Sequence, residues 1–285
     1  MGAKSLSKLL QVLFLKYRGL ILITYGLTFL ENVFELLYPF VIGLTIDRLL
    51  QGSSIGLTAL VSIWLLHTVI EVSRNIYDTR AFTQIYSHLA SSLVRGQKQQ
   101  GIPTSQIVAR SSLSREFVDF FEQDIPRMIT ALFGFVGAWV MLLIYDVQIA
   151  LYCLLLCIPL FGINYFYARK SLGLNHQLNN QLEREVDILG GKHLENVQLH
   201  FQRLSKIRIR LSNATALNWG VMELLIIVLF LAILIRTVML FGSQPGEIYA
   251  VIAYAWNYRQ SLDVVPTLVQ QLGRLQDIGE RMQLN

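Results

Sequence analysis

Six stretches of the chain are apolar and long enough to cross a bilayer, which takes about 20 mostly apolar residues. They run from Leu20 to Ile46, Ile55 to Tyr77, Ile125 to Tyr145, Val147 to Ala168, Leu217 to Met239 and Ile248 to Val269. The last stands apart. Its uninterrupted apolar run covers Ile248 to Trp256, and then Asn257, Arg259, Gln260 and Asp263 follow. A helix with such a stripe cannot face lipid all round, so it must bury the stripe against other helices or a wet cavity. Ahead of the first span, Leu6, Leu9, Leu10, Leu13 and Tyr17 share one helical face, while Ser5, Lys8, Gln11, Lys16 and Arg18 fall elsewhere. Residues 1–18 are therefore expected to form an amphipathic helix in the membrane interface, ahead of a membrane domain from 19 to 285. The span that follows is too long for the h-region of a cleaved signal, which is about 7–15 residues.

The connections alternate between short and long. Those around Gly52 to Ser54, around Asp146 and from Phe241 to Glu247 are brief; those from Asp78 to Asp124 and from Arg169 to Ala216 are long. Both long ones carry leucine, isoleucine and aromatic residues at helical spacing, with few breakers. Spans two to five are thus expected to continue as helices beyond the bilayer, about 30 Å for every twenty residues. Each pair needs a turn at its tip, and the breakers suited to it are Gly96, Gly101 and Pro103 in the first connection and Gly190 and Gly191 in the second.

Composition agrees with a membrane protein. Hydrophobic residues make up 53% and charged residues 15%, against about 25% charged in a soluble domain. The mean hydropathy is +0.47. Disorder is excluded by the apolar content. A disulfide scaffold is excluded because the two cysteines, Cys153 and Cys157, lie one helical turn apart inside an apolar run. The net charge of +5 fits basic loops beside a membrane rather than nucleic acid. With both termini inside, only Arg48 and Arg236 of the 24 Lys and Arg lie in outer loops. The expected location is the inner or plasma membrane, multi-pass, with both termini cytoplasmic.

Several local patterns join this topology. Pro39, Gly43 and Asp47 stand as P-x-x-x-G-x-x-x-D at the end of the first span. TSQIVAR holds Ile107 and Arg110 in a G-x-[IV]-x-x-R arrangement with Ser105 replacing the glycine. Asp119 and Asp124 precede the third span, Gly246, Glu247 and Tyr254 open the sixth, and Glu280-Arg281 follow it. With six spans, short outer loops and long helical inner loops, the chain resembles the transmembrane domain of ABC exporters, the type-1 exporter fold. The resemblance covers nearly the whole length. It implies an all-α membrane protein of six transmembrane helices with long cytoplasmic extensions, working as a homodimer of twelve spans. It also implies coupling at the loop tips (Gly96, Gly101, Pro103, Gly190, Gly191) to a separate nucleotide-binding subunit. The chain has no phosphate loop G-x-x-x-x-G-K-[ST]; Gly191-Lys192 is followed by His193 without an upstream glycine, and no LSGGQ-like segment is found. The segment GGKHLENVQLHF also departs from the family's second inner loop. The expected form is a small stand-alone six-span member that is not itself an enzyme and binds no cofactor, ATP entering only through a partner.

Polar residues within the spans are the candidate chemistry. Thr24, Thr28, Glu31, Glu35 and Tyr38 are spaced four, three, four and three, on one face of the first helix. Glu31 falls ~16 Å past Leu20, near mid-bilayer. A charged carboxylate there costs several kcal/mol unless it is wet, paired or protonated. The stripe is either the wall of a wet cavity, with carboxylates that exchange protons, or a contact buried between helices. Trp64, His67, Glu71, Arg74 and Asp78 repeat the spacing on the second span, where Glu71 with Arg74, and Arg74 with Asp78, can pair along the helix. His67 is either a titrating switch or a hydrogen-bonded core histidine. On the sixth span Tyr254, Asn257, Gln260 or Ser261, and Pro266 follow the face that avoids lipid, with Tyr258, Arg259 and Asp263 as a charged edge. This face either lines a pathway, as the resemblance implies, or packs against another subunit. Pro39, Pro159 and Pro266 are candidate kinks.

No metal-ligand spacing and no nucleophile triad is present. The basic cluster Arg203, Lys206, Arg208 and Arg210 suits acidic lipid or an acidic partner, or is simply a solvated face. The leading expectation is transport by alternating access, powered by a separate ATPase subunit. The alternatives are ion coupling through Glu31, Glu35 or His67, as in proteins that use this fold to take up antimicrobial peptides without an ATPase, and a non-transporting membrane scaffold.

Overall fold

A computed structural model describes residues 2–99, 101, 103–104, 107–108, 115, 118–183, 185–190 and 194–262. Every regular element among them is helical. Helix α1 spans Gly2–Leu50, α2 Ile55–Gln99, α3 Phe120–Tyr145, α4 Val147–Glu183, α5 Leu194–Phe241, and α6 residues 245–262. A short helix, Glu185–Leu189, lies between α4 and α5. Five of these, α1 to α5, are long and apolar enough to cross a membrane. Large apolar side chains stand exposed along them, Ile144 and Ile158 at 70% and Met239 at 79%; in a protein of this hydropathy, that surface belongs to lipid. The protein is a multi-pass integral membrane protein.

Among the described residues the long connections are largely helical, as their periodicity predicts. α2 continues from Tyr77 to Gln99, α4 continues past Ala168 to Glu183, and α5 begins at Leu194, well ahead of Leu217. One expected breaker is misplaced: Gly96 lies inside α2. The turn comes at Gly101, with φ +70°, a left-handed conformation that glycine adopts without the Cβ clash; Pro103 follows it. Gly190 lies in a turn, and Gly191 lies outside the described residues. Pro39 and Pro159 sit inside continuous helices. The break in α1 is at Tyr17 instead, with φ −114° and ψ 18°. Pro266 lies outside the described residues.

The described residues form two compact units. One comprises residues up to Tyr145 together with those from Thr237, and so holds α1, α2, α3 and α6; the other is Asp146–Arg236, with α4 and nearly all of α5. In the first unit, Ile21 of α1, Phe82 and Ile85 of α2, and Val118 form a buried cluster ringed by Tyr17, Tyr25, Tyr86 and Phe121. The Tyr25 hydroxyl donates to the carbonyl of Phe121 at 3.3 Å.

Near the short turns of this unit, small residues let the helices touch. Gly43 of α1 meets the backbone of Gly246 at the start of α6. Asp47, one turn further, accepts the Gly246 N–H at 2.8 Å. That N–H belongs to the first turn of α6, where no intrahelical acceptor exists. Thr45 donates to the carbonyl of Gly56, 3.0 Å away on α2. The P-x-x-x-G-x-x-x-D pattern therefore has a packing cause: the glycine gives the approach and the aspartate holds the approaching backbone.

In the second unit, Ile149, Cys153, Leu156 and Leu160 of α4 are buried, as are Ile226, Leu229 and Ile233 of α5. These spacings of three and four mark one face of each helix. Asp146 caps α4, accepting the N–H groups of Gln148 and Ile149 at 3.0 and 3.1 Å.

Candidate functional site

The first unit holds a half-open cavity of about 1000 Å³. Its wall draws on Thr28, Glu31, Asn32, Glu35 and Tyr38 of α1, and on Arg74, Asn75 and Asp78 of α2. α3 supplies Glu122, Gln123 and Arg127, and α6 supplies Asn257, Gln260 and Ser261. The helical spacing on α1 puts its polar stripe on the cavity side. Thr28 and Asn32 remain satisfied within their own helix, Thr28 donating to the carbonyl of Thr24 at 3.0 Å and Asn32 to that of Thr28 at 2.7 Å. The α6 stripe is likewise turned inward in part: Tyr254 and Tyr258 are wholly buried, while Trp256 is exposed.

Charge in the wall is organised around Arg74. Its guanidinium pairs with the Glu31 carboxylate through Nε, and Nη2 donates to Glu31 Oε1 at 3.2 Å. Nη1 donates to Asp78 Oδ2 at 3.1 Å. The side chains of Arg74, Glu31 and Asp78 are only 19%, 12% and 9% exposed, so this is a partly desolvated triad joining α1 to α2. Of the two pairs open to Arg74 along its own helix, it forms the one with Asp78. Among the described residues it does not pair with Glu71, which is exposed and outside the wall. Glu35 differs from Glu31: it faces the cavity and, among the described residues, has no hydrogen bond or ion pair.

The other expected residues divide. Asn257 lines the cavity. Tyr254 does not; it is buried, and its hydroxyl donates to the carbonyl of Leu36 at 2.8 Å, which ties α6 to α1. His67 is buried outside the wall, with Nδ1 2.8 Å from the Tyr38 hydroxyl and its ring stacked on Phe34 at 5.9 Å between centroids. Arg259 lies over the ring of Trp256 at 5.3 Å, also outside the wall. Asp263 lies outside the described residues.

Sequence reasoning missed the α3 wall. Its cause is visible in the backbone: α3 carries two π-helical stretches, Phe120–Asp124 and Phe133–Gly137, and Glu122, Gln123, Phe133 and Gly134 from them line the cavity. Such bulges shift the register of a helix and are frequent at functional sites. Gly134 lies where a side chain would collide with the Ser261 hydroxyl of α6.

The second unit holds a different charge pair. Asp146 accepts from Arg236 at 2.9 Å. That hydrogen bond holds the Asp146 carboxyl below the usual carboxylate range, against the opposing effect of burial and with help from the Ile149 N–H.

Residues 10–244 match the family model described as ABC transporter transmembrane region, a stretch that runs from within α1 to just past the end of α5. Among curated proteins none matches the chain.

Proposed function

The chain belongs to the ABC transporter transmembrane region family, and from that premise we propose that it is the membrane half of a transporter working by alternating access. The observation that carries the reading is the polar cavity among α1, α2, α3 and α6, whose wall includes Glu31, Glu35, Arg74 and Asn257. A wall so rich in charge has no purpose in lipid and suits a wet pathway between the helices. Two copies form the working unit, a closed dimer being the commonest assembly. Both termini lie on the cytoplasmic side, as the bias of basic residues favours. ATP is hydrolysed by a separate subunit, which docks at the tips around Gly101–Pro103 and Gly190–Gly191, while this chain binds no nucleotide. A second reading, ion coupling, is favoured by one observation: Glu35 faces the cavity without an ion pair, whereas Glu31 is neutralised by Arg74. In that reading Glu35, rather than Glu31, carries the proton, with His67 reached through Tyr38.

The deciding experiment is flux in proteoliposomes, with and without an ATPase subunit co-purified in mild detergent. We expect flux that requires ATP and that subunit. Flux driven by a pH gradient alone, and lost in Glu35→Gln but not in Glu31→Gln, would select ion coupling instead. No flux under either drive, with a stable partner bound, would leave a membrane scaffold.

A further inference from the structure

We infer that the cavity takes a lipophilic organic cation; the inference rests on the reading of the cavity as a substrate site. The first argument is the charge left over. The wall holds the carboxylates Glu31, Glu35, Asp78 and Glu122 against the guanidiniums of Arg74 and Arg127. The partly buried guanidinium, that of Arg74, is already committed to the protein itself. Arg74 serves Glu31 and Asp78. Arg127, whose side chain is 61% exposed, lies 3.7 Å from Asp124 and donates to Gln123 at 3.3 Å, and water screens its charge. Arg115, which is not part of the wall, pairs with Glu122 at 3.3 Å and Asp119 at 2.8 Å. An anionic ligand at Arg74 would have to strip Glu31 or Asp78 from it, leaving that carboxylate unpaired among the helices. A cation meets Glu35 directly and disrupts nothing.

The second argument is the rest of the wall. Tyr38, Phe133 and Tyr249 also line the cavity, and the faces of such rings attract cations, most strongly when the ligand is desolvated. The third is size. Among the described residues no group of three or more His, Cys, Asp or Glu is placed to hold a metal ion. A volume of about 1000 Å³ lies at the upper end of the range for small-molecule pockets, roughly 300–1000 Å³. One free carboxylate, aromatic faces and that volume together fit a singly charged cation carrying several rings.

The test is a matched pair of probes. Tetraphenylphosphonium and tetraphenylborate have nearly the same shape and opposite charge. Their binding to the full chain in nanodiscs is measured by equilibrium dialysis, subtracting empty discs. We expect saturable binding of the phosphonium and none of the borate. Glu35→Gln should weaken the phosphonium at least tenfold, about 1.4 kcal/mol, and Glu35→Asp should recover most of that loss. Equal saturable binding of both ions by the unaltered protein, or tighter binding of the borate, overturns the inference, as does a Glu35→Gln protein of unchanged affinity. The unaltered protein decides the sign of the charge even where a variant melts early. If the phosphonium binds with this dependence but no flux is seen, the transport reading fails and the ligand class stands. If neutral or anionic compounds are carried and the phosphonium neither binds nor competes, the class fails alone.

Discussion

The two units of the protein solve the problem of polar groups in a membrane in opposite ways. The unit of α1, α2, α3 and α6 brings the Arg74 guanidinium between the Glu31 and Asp78 carboxylates among its helices and leaves a cavity beside them. The unit of α4 and α5 has no charged residue from Val147 to Ala168 and only Glu223 from Leu217 to Ile235. Its polar contacts sit further along the helices: Asp146 with Arg236 at one extreme, Tyr167 with Thr215 at 2.9 Å, and His200 near Gln181 at 2.8 Å and Glu185 at 3.4 Å. Burial of charge is costly, and it persists where pairing offsets it or where function needs it. The contrast places the chemistry in the first unit and leaves the second as an apolar helix pair clasped by polar contacts.

The sharpest way to break this comparison is to unbalance the triad. Arg74→Ala would leave Glu31 and Asp78 unpaired and should cost about 3 kcal/mol or more, read as a large fall in the thermal melt in detergent. Adding Glu31→Gln to that variant should recover part of the loss. A melt unchanged by Arg74→Ala would mean that the triad is solvated and the contrast between the units is wrong. Next comes the glycine contact. In Gly246→Ala the new Cβ would lie 2.6 Å from the Gly43 carbonyl carbon and 2.7 Å from the Asp47 carboxyl carbon. Backbone does not yield as a side-chain tip does, so a cost of about 1–3 kcal/mol is expected, with Gly96→Ala, where no atom lies within 4 Å, as the harmless control. The smallest effect belongs to the second unit. Asp146→Ala removes the α4 cap and should cost about 0.5–2 kcal/mol. Because the folded carboxyl titrates below its unfolded value, its contribution is full above the unfolded pKa and fades as pH falls through the folded one. Melts of Asp146→Ala and the unaltered protein should therefore converge toward acid pH; a gap that widens there would refute the pairing.

Much of the architecture is legible in the residues because it rests on local rules. Apolar runs mark α1 to α5, helical spacing in the long connections marks their extensions, and the P-x-x-x-G-x-x-x-D order foreshadows the α1–α6 contact. The site is less legible because its decisive facts lie between helices. Arg74 reads as a partner for Glu71 or Asp78, both within reach along α2; that it crosses to Glu31 depends on how α1 and α2 face each other. Glu31 and Glu35 look equivalent at one helical turn apart, yet one is paired and the other is free to meet a ligand. Tyr254 reads as a pathway residue from its place on the polar face, but its hydroxyl is spent on the Leu36 carbonyl.

The sequence by itself determined that this is a helical membrane protein, which helices run beyond the apolar core and which face of α1 is polar. Periodicity and transfer free energy act on each helix alone, so a single chain of letters carries them. Which charges cancel, where α3 shifts register through its π-helical stretches, and that the polar face of α1 borders a half-open cavity emerge only from how the helices pack. Those outcomes turn on ångström distances between side chains far apart in the sequence, such as Glu31 and Arg74, and no local pattern encodes a distance between helices.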